Sequence, residues 1–374
     1  MKKLSATLIL LLVASFACHC VAQLPSDSVL RRYAAQMLMV GFKGDSVTPN
    51  SDAARYVRDL HVGAIVLFDI DLTGSATIGS RNITSRERLE RLTATLQSWS
   101  SRPLLIALDQ EGGRVARLKP QYGFEPTVTA EYLGQIDNLD TTRFYTRRMV
   151  TDLATSGINL NLAPVLDIHR DDCPAIGHFH RSFGTDSRLI VRHAGCVIDE
   201  HHRQHVLCAV KHFPGHGSAV NDSHWGFVDV TSTWQPSELE PFKQLIKRGK
   251  VDVVMTAHIF NRNLDADFPA TLSRKTIDGV LRKQLGFDGV VVTDDLYMEA
   301  IINNYSIERA LVLAINAGAD LLCVGNNIST GFEADRPFHL VDLIVAAVKR
   351  GEIPYGRLIE SHRRLDRLAA KCKR

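Results

Sequence analysis

Short apolar runs recur along the chain, and longer amphipathic segments separate them. Eight of the runs consist mostly of aliphatic and β-branched residues, which is typical of parallel strands buried on both faces. In order they are MLMVGF (37–42), GAIVLF (63–68), LLIALD (104–109), INLNLAPVLD (158–167), VLCAVKHF (206–213), VDVVMTAH (251–258), GVVVTDD (289–295) and DLLCVG (320–325). The segments between them, such as 85–99 and 306–319, have the apolar spacing of helices.

Eight strands that alternate with helices, without a Gly/Ser-rich linker, predict an α/β fold: a single (β/α)8 TIM barrel. An open doubly wound sheet is the alternative architecture, but its edge strands would be less apolar than these runs. The segment 338–370 predicts two closing C-terminal helices that are split near Pro354.

Residues 1–22 have the layout of a secretory signal peptide, with a basic start, an apolar core over 8–16 and small residues near Ala22. The apolar core is too short to span a bilayer. We therefore expect an exported protein, periplasmic or secreted, whose barrel domain comprises residues 23–374. A lipoprotein anchored through Cys18 is the alternative fate.

The formal net charge of +3 on 374 residues argues against a nucleic-acid partner, which would require a basic stripe. Five cysteines follow residue 22, an odd number with irregular spacing, so no disulfide framework or zinc pattern is predicted. Cys208 and Cys323 lie in predicted strands and are expected in the core. We expect a monomer without a membrane span.

Polar residues gather where the predicted strands end. They are Asp109 with Gln110 and Glu111, Asp167, Lys211 with His212, His258, Asp294 with Asp295, and Asn326. Because the active sites of barrel enzymes lie at the carboxyl ends of the strands, these residues predict where the chemistry takes place.

The segment KHFPGHGSAVNDSHWG (211–226) raises the question of a metal site, since His212, His216, His224 and His258 could supply imidazoles. Metal-binding barrels usually offer a His-x-His pair on an early strand, and the early strands here end in Phe42, Phe68 and Asp109. A phosphate site is also disfavoured, because no lysine follows the GHG glycines. We predict neither a metal nor an organic cofactor.

Glycoside hydrolysis agrees better with these residues, because it requires a fixed carboxylate nucleophile and a proton donor across the scissile bond. Asp294 directly follows a β-branched strand and is the candidate nucleophile. His224 is the candidate proton donor, and Asp222 could orient its ring and raise its basicity. The alternatives are that Asp294 and Asp295 only cap the next helix, and that Asp222 and His224 lie in a surface turn.

Four motifs, KHFPGHG followed by DSH, LDQEGGRVARL (108–118), HRSFG (180–184) and LRKQLGFDGVVVTDD (281–295), closely resemble glycoside hydrolase family 3. Within that family the chain is similar to the single-domain β-N-acetylglucosaminidases. The resemblance implies a retaining enzyme with Asp294 as nucleophile and His224 as acid/base, partnered by Asp222. It also implies that the terminal GlcNAc is held by five residues, which are Asp109, Arg117, Arg181, Lys211 and His212.

Other roles stay open at this stage. The role of Arg117 could be limited to an ion pair with Asp109, and His212 could be a hydrogen-bonded core residue. Glu111 is expected to support the EGG turn. His216 and His258 are expected to line the pocket. Three segments depart from the usual family pattern: the segment after the second strand, the segment before Arg181, and residues 218–220. The first two leave the aglycone preference open, whereas the third keeps the spacing to Asp222 and His224.

The sequence therefore predicts a retaining β-N-acetylhexosaminidase that releases terminal β-linked GlcNAc from peptidoglycan fragments or chitin oligosaccharides. Two alternatives remain. The first is another activity of the same family, a β-glucosidase or a GlcNAc phosphorylase. The second is a carbohydrate-binding protein that has lost activity.

Overall fold

A computed structural model describes residues 24–74, 76–222, 226–328 and 331–372. Eight short strands form the central sheet: β1 (Leu38–Val40), β2 (Ala64–Val66), β3 (Leu105–Leu108), β4 (Leu160–Asn161), β5 (Leu207–Phe213), β6 (Val253–Thr256), β7 (Val290–Thr293) and β8 (Leu322–Val324). Two further strand pairs lie outside it, Gln110–Gly112 with Val115–Ala116 and Val228–Asp229 with Ile259–Phe260.

Helices connect the strands throughout the described residues. The α-helices are Asp27–Gln36, Asp52–Ala54, Arg86–Trp99, Ala130–Ile136, Leu139–Thr155, Ser187–Arg203, Glu240–Lys247, Glu299–Ile302, Ile307–Ala317, Arg336–Lys349 and Tyr355–Ala370. The segments Arg55–Leu60 and Lys275–Gln284 are π-helical, and Pro120–Tyr122, Pro236–Leu239 and Ala270–Leu272 are 3-10 turns. Where the sequence predicts helices at 85–99 and 306–319, helices begin after Ser85 and Ser306, whose hydroxyls accept the capping hydrogen bonds.

The eight strands pair in chain order and every pairing is parallel. β1 also pairs with β8, where Met39 is opposite Cys323. β7 and β8 complete the circle through a bridge between Val292 and Leu321, and Thr293 N donates to Leu321 O at 3.0 Å. The predicted (β/α)8 barrel is confirmed, with each predicted apolar run supplying one strand.

Side chains along these strands alternate between the barrel interior and the surrounding helices. Ala107, Ala209 and Val292 belong to the cluster that fills the interior, whereas their strand neighbours pack outward against helices. The next residues on the inward side are Asp109, Lys211 and Asp294, each two positions further along its strand. Alternation therefore directs these three charged side chains toward the barrel axis at its carboxyl end.

The two predicted closing helices are confirmed as Arg336–Lys349 and Tyr355–Ala370, with Pro354 at the start of the second. The second helix is held to the barrel through Asp320, which lies just before β8 and is fully buried. Its carboxylate accepts hydrogen bonds from Arg357 at 2.8 Å and from Ser361 at 2.8 Å. None of the helices in the described ranges is both long enough and apolar enough to cross a membrane.

Candidate active site

A buried lysine connects two carboxylates at the carboxyl end of the barrel. Lys211 is 2% exposed, and its Nζ lies 2.8 Å from Asp109 Oδ1 and 2.6 Å from Glu111 Oε1. Asp109 Oδ2 also accepts a hydrogen bond of 3.1 Å from Arg117 Nη2. Asp109 follows β3 and Lys211 lies in β5, so the ion pair links two strand ends across the intervening β4.

Glu111 has a larger role than support of the EGG turn. Its carboxylate receives two hydrogen bonds from Arg181, at 2.8 Å from Nε and 2.7 Å from Nη2, in addition to Lys211. Such a bidentate pair fixes the orientation of the guanidinium as well as its position. The sequence alone does not predict this contact, although Glu111 lies two residues after Asp109 on the rim.

Each charged group in this cluster shifts the pKa values of its partners so that their ionised forms are favoured. Burial alone would raise the pKa of Asp109, but Lys211 and Arg117 hold it well below its usual range. Burial also opposes ionisation of Glu111, and Arg181 and Lys211 lower its pKa to about 2. Burial would lower the pKa of Lys211, but Asp109 and Glu111 keep it above its ordinary value. The cluster is therefore fully ionised near neutral pH.

Asp167 organises the beginning of the loop that follows β5. Its carboxylate lies 2.6 Å from His212 Nδ1 and accepts the backbone N–H of His216 at 2.8 Å. These partners place the His212 proton on Nδ1, so that Nε2 accepts from Arg181 Nη2 at 3.2 Å. Burial lowers the pKa of His216 to about 4. His212 thus joins the charge cluster to Asp167, a residue that the sequence marked only as a strand end.

Asp294 and Asp295 differ in their surroundings. The Asp295 carboxylate accepts the backbone N–H of Tyr297 at 3.0 Å and that of Gly325 at 3.0 Å, which ties β7 to the end of β8. Burial raises the pKa of Asp295 to about 6, with a further contribution from Asp294. Asp294 Oδ1 accepts the backbone N–H of Asp295 at 2.8 Å. Both carboxylates thus accept backbone N–H groups, and Asp294 is the one on the inward side of β7.

Charged groups from several strands act on Cys323, a residue of the barrel interior. Burial raises the pKa of its thiol well above the usual range, and the charges of Asp295, Asp294 and Asp109 add to that effect while Lys211 opposes it. Asp109, Lys211 and Asp294 follow interior residues of β3, β5 and β7 by two positions, so they face the barrel axis from three strands. Asp294 and the Lys211 cluster thus share the carboxyl end of the barrel.

The remaining predicted residues are placed unequally. Asp222 is among the described residues, and it lies half-buried in the loop after β5. His224 lies outside the described residues. His258 is 2% exposed and its Nε2 donates to the backbone oxygen of Asp295 at 2.9 Å, so it supports the carboxylate pair from behind. Within the described ranges, no group of three or more His, Cys, Asp or Glu side chains is arranged to hold a metal ion.

The long segment after β2 is attached to the segment after β8. Arg81, whose side chain is fully buried, pairs with Asp71 at 2.9 Å and with Asn327 Oδ1 at 2.8 Å. Asn327 Nδ2 in turn donates to Ile70 O at 2.9 Å. The long segment after β2, which departs from the usual family pattern, therefore forms part of the rim at the carboxyl end of the barrel. The buried side chain of Arg81 anchors it there.

Comparison with known proteins agrees with this geometry. The model of the glycosyl hydrolase family 3 N-terminal domain matches residues 29–368. A β-hexosaminidase of Tolumonas auensis is 35% identical over 283 residues, which cover 74% of this chain and 80% of that protein.

Two solved structures share the fold. A glycoside hydrolase family 3 β-N-acetylglucosaminidase from Paenibacillus sp. has a TM-score of 0.82 at 34% identity, with 92% of this chain and 62% of that one covered. A β-N-acetylhexosaminidase from Beutenbergia cavernae has a TM-score of 0.77 at 30% identity, covering 91% and 98%. The chain thus spans less than two thirds of the first protein and nearly all of the second.

We expect Glu111→Gln to make the stability of the protein less sensitive to acid. The folded pKa of about 2 lies below the ordinary value of 4.5, so the stabilisation is complete above pH 4.5 and is lost as the pH falls through about 2. Urea denaturation at about pH 6, 4 and 3 should show a steeper loss of unfolding free energy for the wild type than for the variant. Glu360→Gln, at an exposed carboxylate, is the control and should keep the wild-type slope. Equal slopes for the wild type and Glu111→Gln would contradict the ion pairs.

Proposed function

Because the chain belongs to glycosyl hydrolase family 3 and is a glycosidase, we propose that it is a retaining β-N-acetylhexosaminidase that releases terminal β-linked GlcNAc. The observation that carries this proposal is the placement of Asp109, Lys211 and Asp294 on the inward side of their strands at the carboxyl end of the barrel. A nucleophilic carboxylate beside fixed, charged hydrogen-bonding groups is suited to a neutral polar sugar.

We assign recognition of the terminal sugar to Asp109, Arg117, Arg181, Lys211 and His212. The carboxylate of Asp109 can accept hydrogen bonds from sugar hydroxyls, and the arginines and the lysine can donate to hydroxyl oxygens. Glu111 and Asp167 hold Arg181 and His212 in position. These groups are already oriented by one another, so binding requires little further ordering of the protein.

In the proposed reaction His224, partnered by Asp222, protonates the leaving oxygen while Asp294 attacks the anomeric carbon. The bond from the anomeric carbon to the leaving oxygen breaks and a glycosyl-aspartate forms. His224, now basic, removes a proton from water, whose oxygen attacks the same carbon and displaces Asp294. Two inversions release GlcNAc with the β configuration retained. No step requires a metal or an organic cofactor.

We propose peptidoglycan fragments or chitin oligosaccharides as substrates, acted on outside the cytoplasm. The layout of residues 1–22, which lie outside the described residues, supports export. Sequencing of the mature protein is expected to begin at Gln23. A blocked N-terminus together with partition into membranes would instead indicate lipid attachment at Cys18.

Replacing Asp294 or His224 by alanine is expected to abolish most turnover of phenyl β-GlcNAc, whose leaving group needs a proton. Loss of the proton donor should lower kcat by about 10²–10⁴-fold, and loss of the nucleophile by about a thousandfold or more. A fluorinated GlcNAc donor should label the wild type on the peptide that contains Asp294, as detected by mass spectrometry. Full turnover by both variants, or a label on another carboxylate, would exclude this mechanism.

The related activity of a GlcNAc phosphorylase predicts a different product. A hydrolase should release free GlcNAc from an aryl β-GlcNAc at a rate independent of inorganic phosphate, because water attacks the intermediate. A phosphorylase should form GlcNAc-1-phosphate in proportion to the phosphate added. Product analysis by chromatography with and without phosphate separates the two, and an aryl β-glucoside tests the β-glucosidase alternative. A protein that only binds sugar would release neither product.

A further inference from the structure

The loop after β5 is held tightly at its base. Gly215 has a φ of +118°, and Gly217 lies so close to Ile168 that an added Cβ would be 1.9 Å from its backbone oxygen. The His216 N–H is bound by Asp167, and Trp234 Nε1 donates to Pro214 O at 3.0 Å. The base of the loop, residues 214–219, is therefore fixed by Asp167, Trp234 and Ile168. These contacts precede Asp222 along the chain.

Glu238 is the acidic side chain under this base. It lies in the 3-10 turn Pro236–Leu239 and is 4% exposed. Oε1 accepts the N–H of Gln235 at 3.1 Å. A Cβ on Gly215 would lie 2.6 Å from Glu238 Cβ and 2.8 Å from its Oε2, so glycine is required where the loop crosses Glu238.

Ser218 completes the contact between Glu238 and the loop. Its hydroxyl and its backbone both act on the Glu238 carboxyl. Ser218 Oγ and Glu238 Oε2 are both buried, and neither has a hydrogen-bond partner among the described residues. Leaving two buried oxygens unsatisfied is costly, so a hydrogen bond between them would be favourable.

We propose that Glu238 is a positioning residue that fixes the base of the loop carrying Asp222 and the proton donor His224. This inference rests on the function proposed above. A general acid acts only within hydrogen-bond reach of the leaving oxygen, and a misplacement of about 1 Å can lower the rate by about a hundredfold. Glu238 touches no substrate in this scheme, and it acts through Gly215 and Ser218.

The charges around Glu238 agree with a protonated carboxyl in this position. Burial raises the pKa of Glu238 to about 7, and the negative charge of Asp167 adds to that shift. Arg170 is close enough to interact with Glu238, and its guanidinium is paired with Asp172 at 2.8 Å. The folded pKa lies above the ordinary value of 4.5, so the stabilisation is complete below pH 4.5 and is lost as the pH rises through about 7. Glutamine, which keeps the shape of the neutral acid, should therefore replace Glu238 well.

The test compares Glu238→Ala, Glu238→Gln and Ser218→Ala with Glu240→Ala, a partly exposed neighbour paired with Lys243, as the control. Each variant is assayed by kcat/KM on phenyl β-GlcNAc and on 2,4-dinitrophenyl β-GlcNAc. Departure of phenol needs the proton donor, whereas dinitrophenolate leaves without one. A displaced donor therefore lowers only the first rate.

We expect Glu238→Ala to lower kcat/KM for the phenyl substrate about tenfold to a hundredfold and that for the dinitrophenyl substrate less than about threefold. Ser218→Ala should show a weaker effect of the same kind, which keeps the test valid if Glu238→Ala does not fold. Glu238→Gln and Glu240→Ala should resemble the wild type on both substrates. An equal loss on both substrates, or no loss on either, would overturn the proposal.

Hydrogen exchange separates a failure of this inference from a failure of the proposed function. The amides of His216 and Ala219 should exchange faster in Glu238→Ala than in the wild type, while Glu238→Gln should leave them protected. If the wild type cleaves neither substrate, the proposed function fails and exchange alone decides whether Glu238 fixes the loop. Unchanged exchange in Glu238→Ala would reject the positioning role.

Discussion

A lysine that is 2% exposed can keep its charge only if carboxylates lie in direct contact with it, and the carboxyl end of this barrel is arranged around that requirement. Lys211 is paired with Asp109 and Glu111, and Glu111 holds Arg181 through two hydrogen bonds. Removal of any one member would take away ion pairs that offset the cost of burying the other charges. The same constraint that stabilises the strand ends therefore fixes the groups proposed to bind the sugar.

Carboxylates at this end of the barrel have two different functions. Asp167 and Asp295 accept backbone N–H groups, and Glu238 accepts one as well, so these three hold the loops on which other residues are placed. Asp109 and Asp294 lie instead on the inward side of their strands. The proposed recognition and catalysis use the carboxylates on the inward side, while the acids that bind other backbone N–H groups keep the surrounding loops in place.

The direction of each pKa shift depends on the groups in contact with the carboxylate, and His212 lowers the pKa of Asp167 despite its burial. Asp109 and Glu111 have depressed pKa values because cations contact them, whereas burial raises the pKa values of Asp295 and Glu238. A site that contains permanently ionised carboxylates beside acids that stay protonated to higher pH can bind a neutral sugar and still position a proton donor. Glu238 is the acid of the second kind that lies at the base of the loop after β5.

Much of this protein could be predicted from the order of its residues. Eight apolar runs separated by amphipathic segments predicted the barrel, because strands buried on both faces have a pattern that no exposed strand shares. The polar residues at the ends of those runs predicted where the site would lie. Side chains two positions apart on a strand face the same side, so Asp109, Lys211 and Asp294 share the inward side with the apolar interior residues that precede them.

Only the tertiary structure decided which of those polar residues contact one another. Glu111 was expected to support a turn, yet it binds Arg181, which lies 70 positions further along the chain, and Asp167 reaches His212, which lies 45 positions away. The residues around Glu238 in the sequence do not predict its proposed role. That role depends on contacts with Gly215 and Ser218, which lie about twenty positions earlier and come close to Glu238 only in the folded chain. Local sequence determines which face of a strand a residue occupies, but pairing between charges depends on distances that are set when the barrel closes.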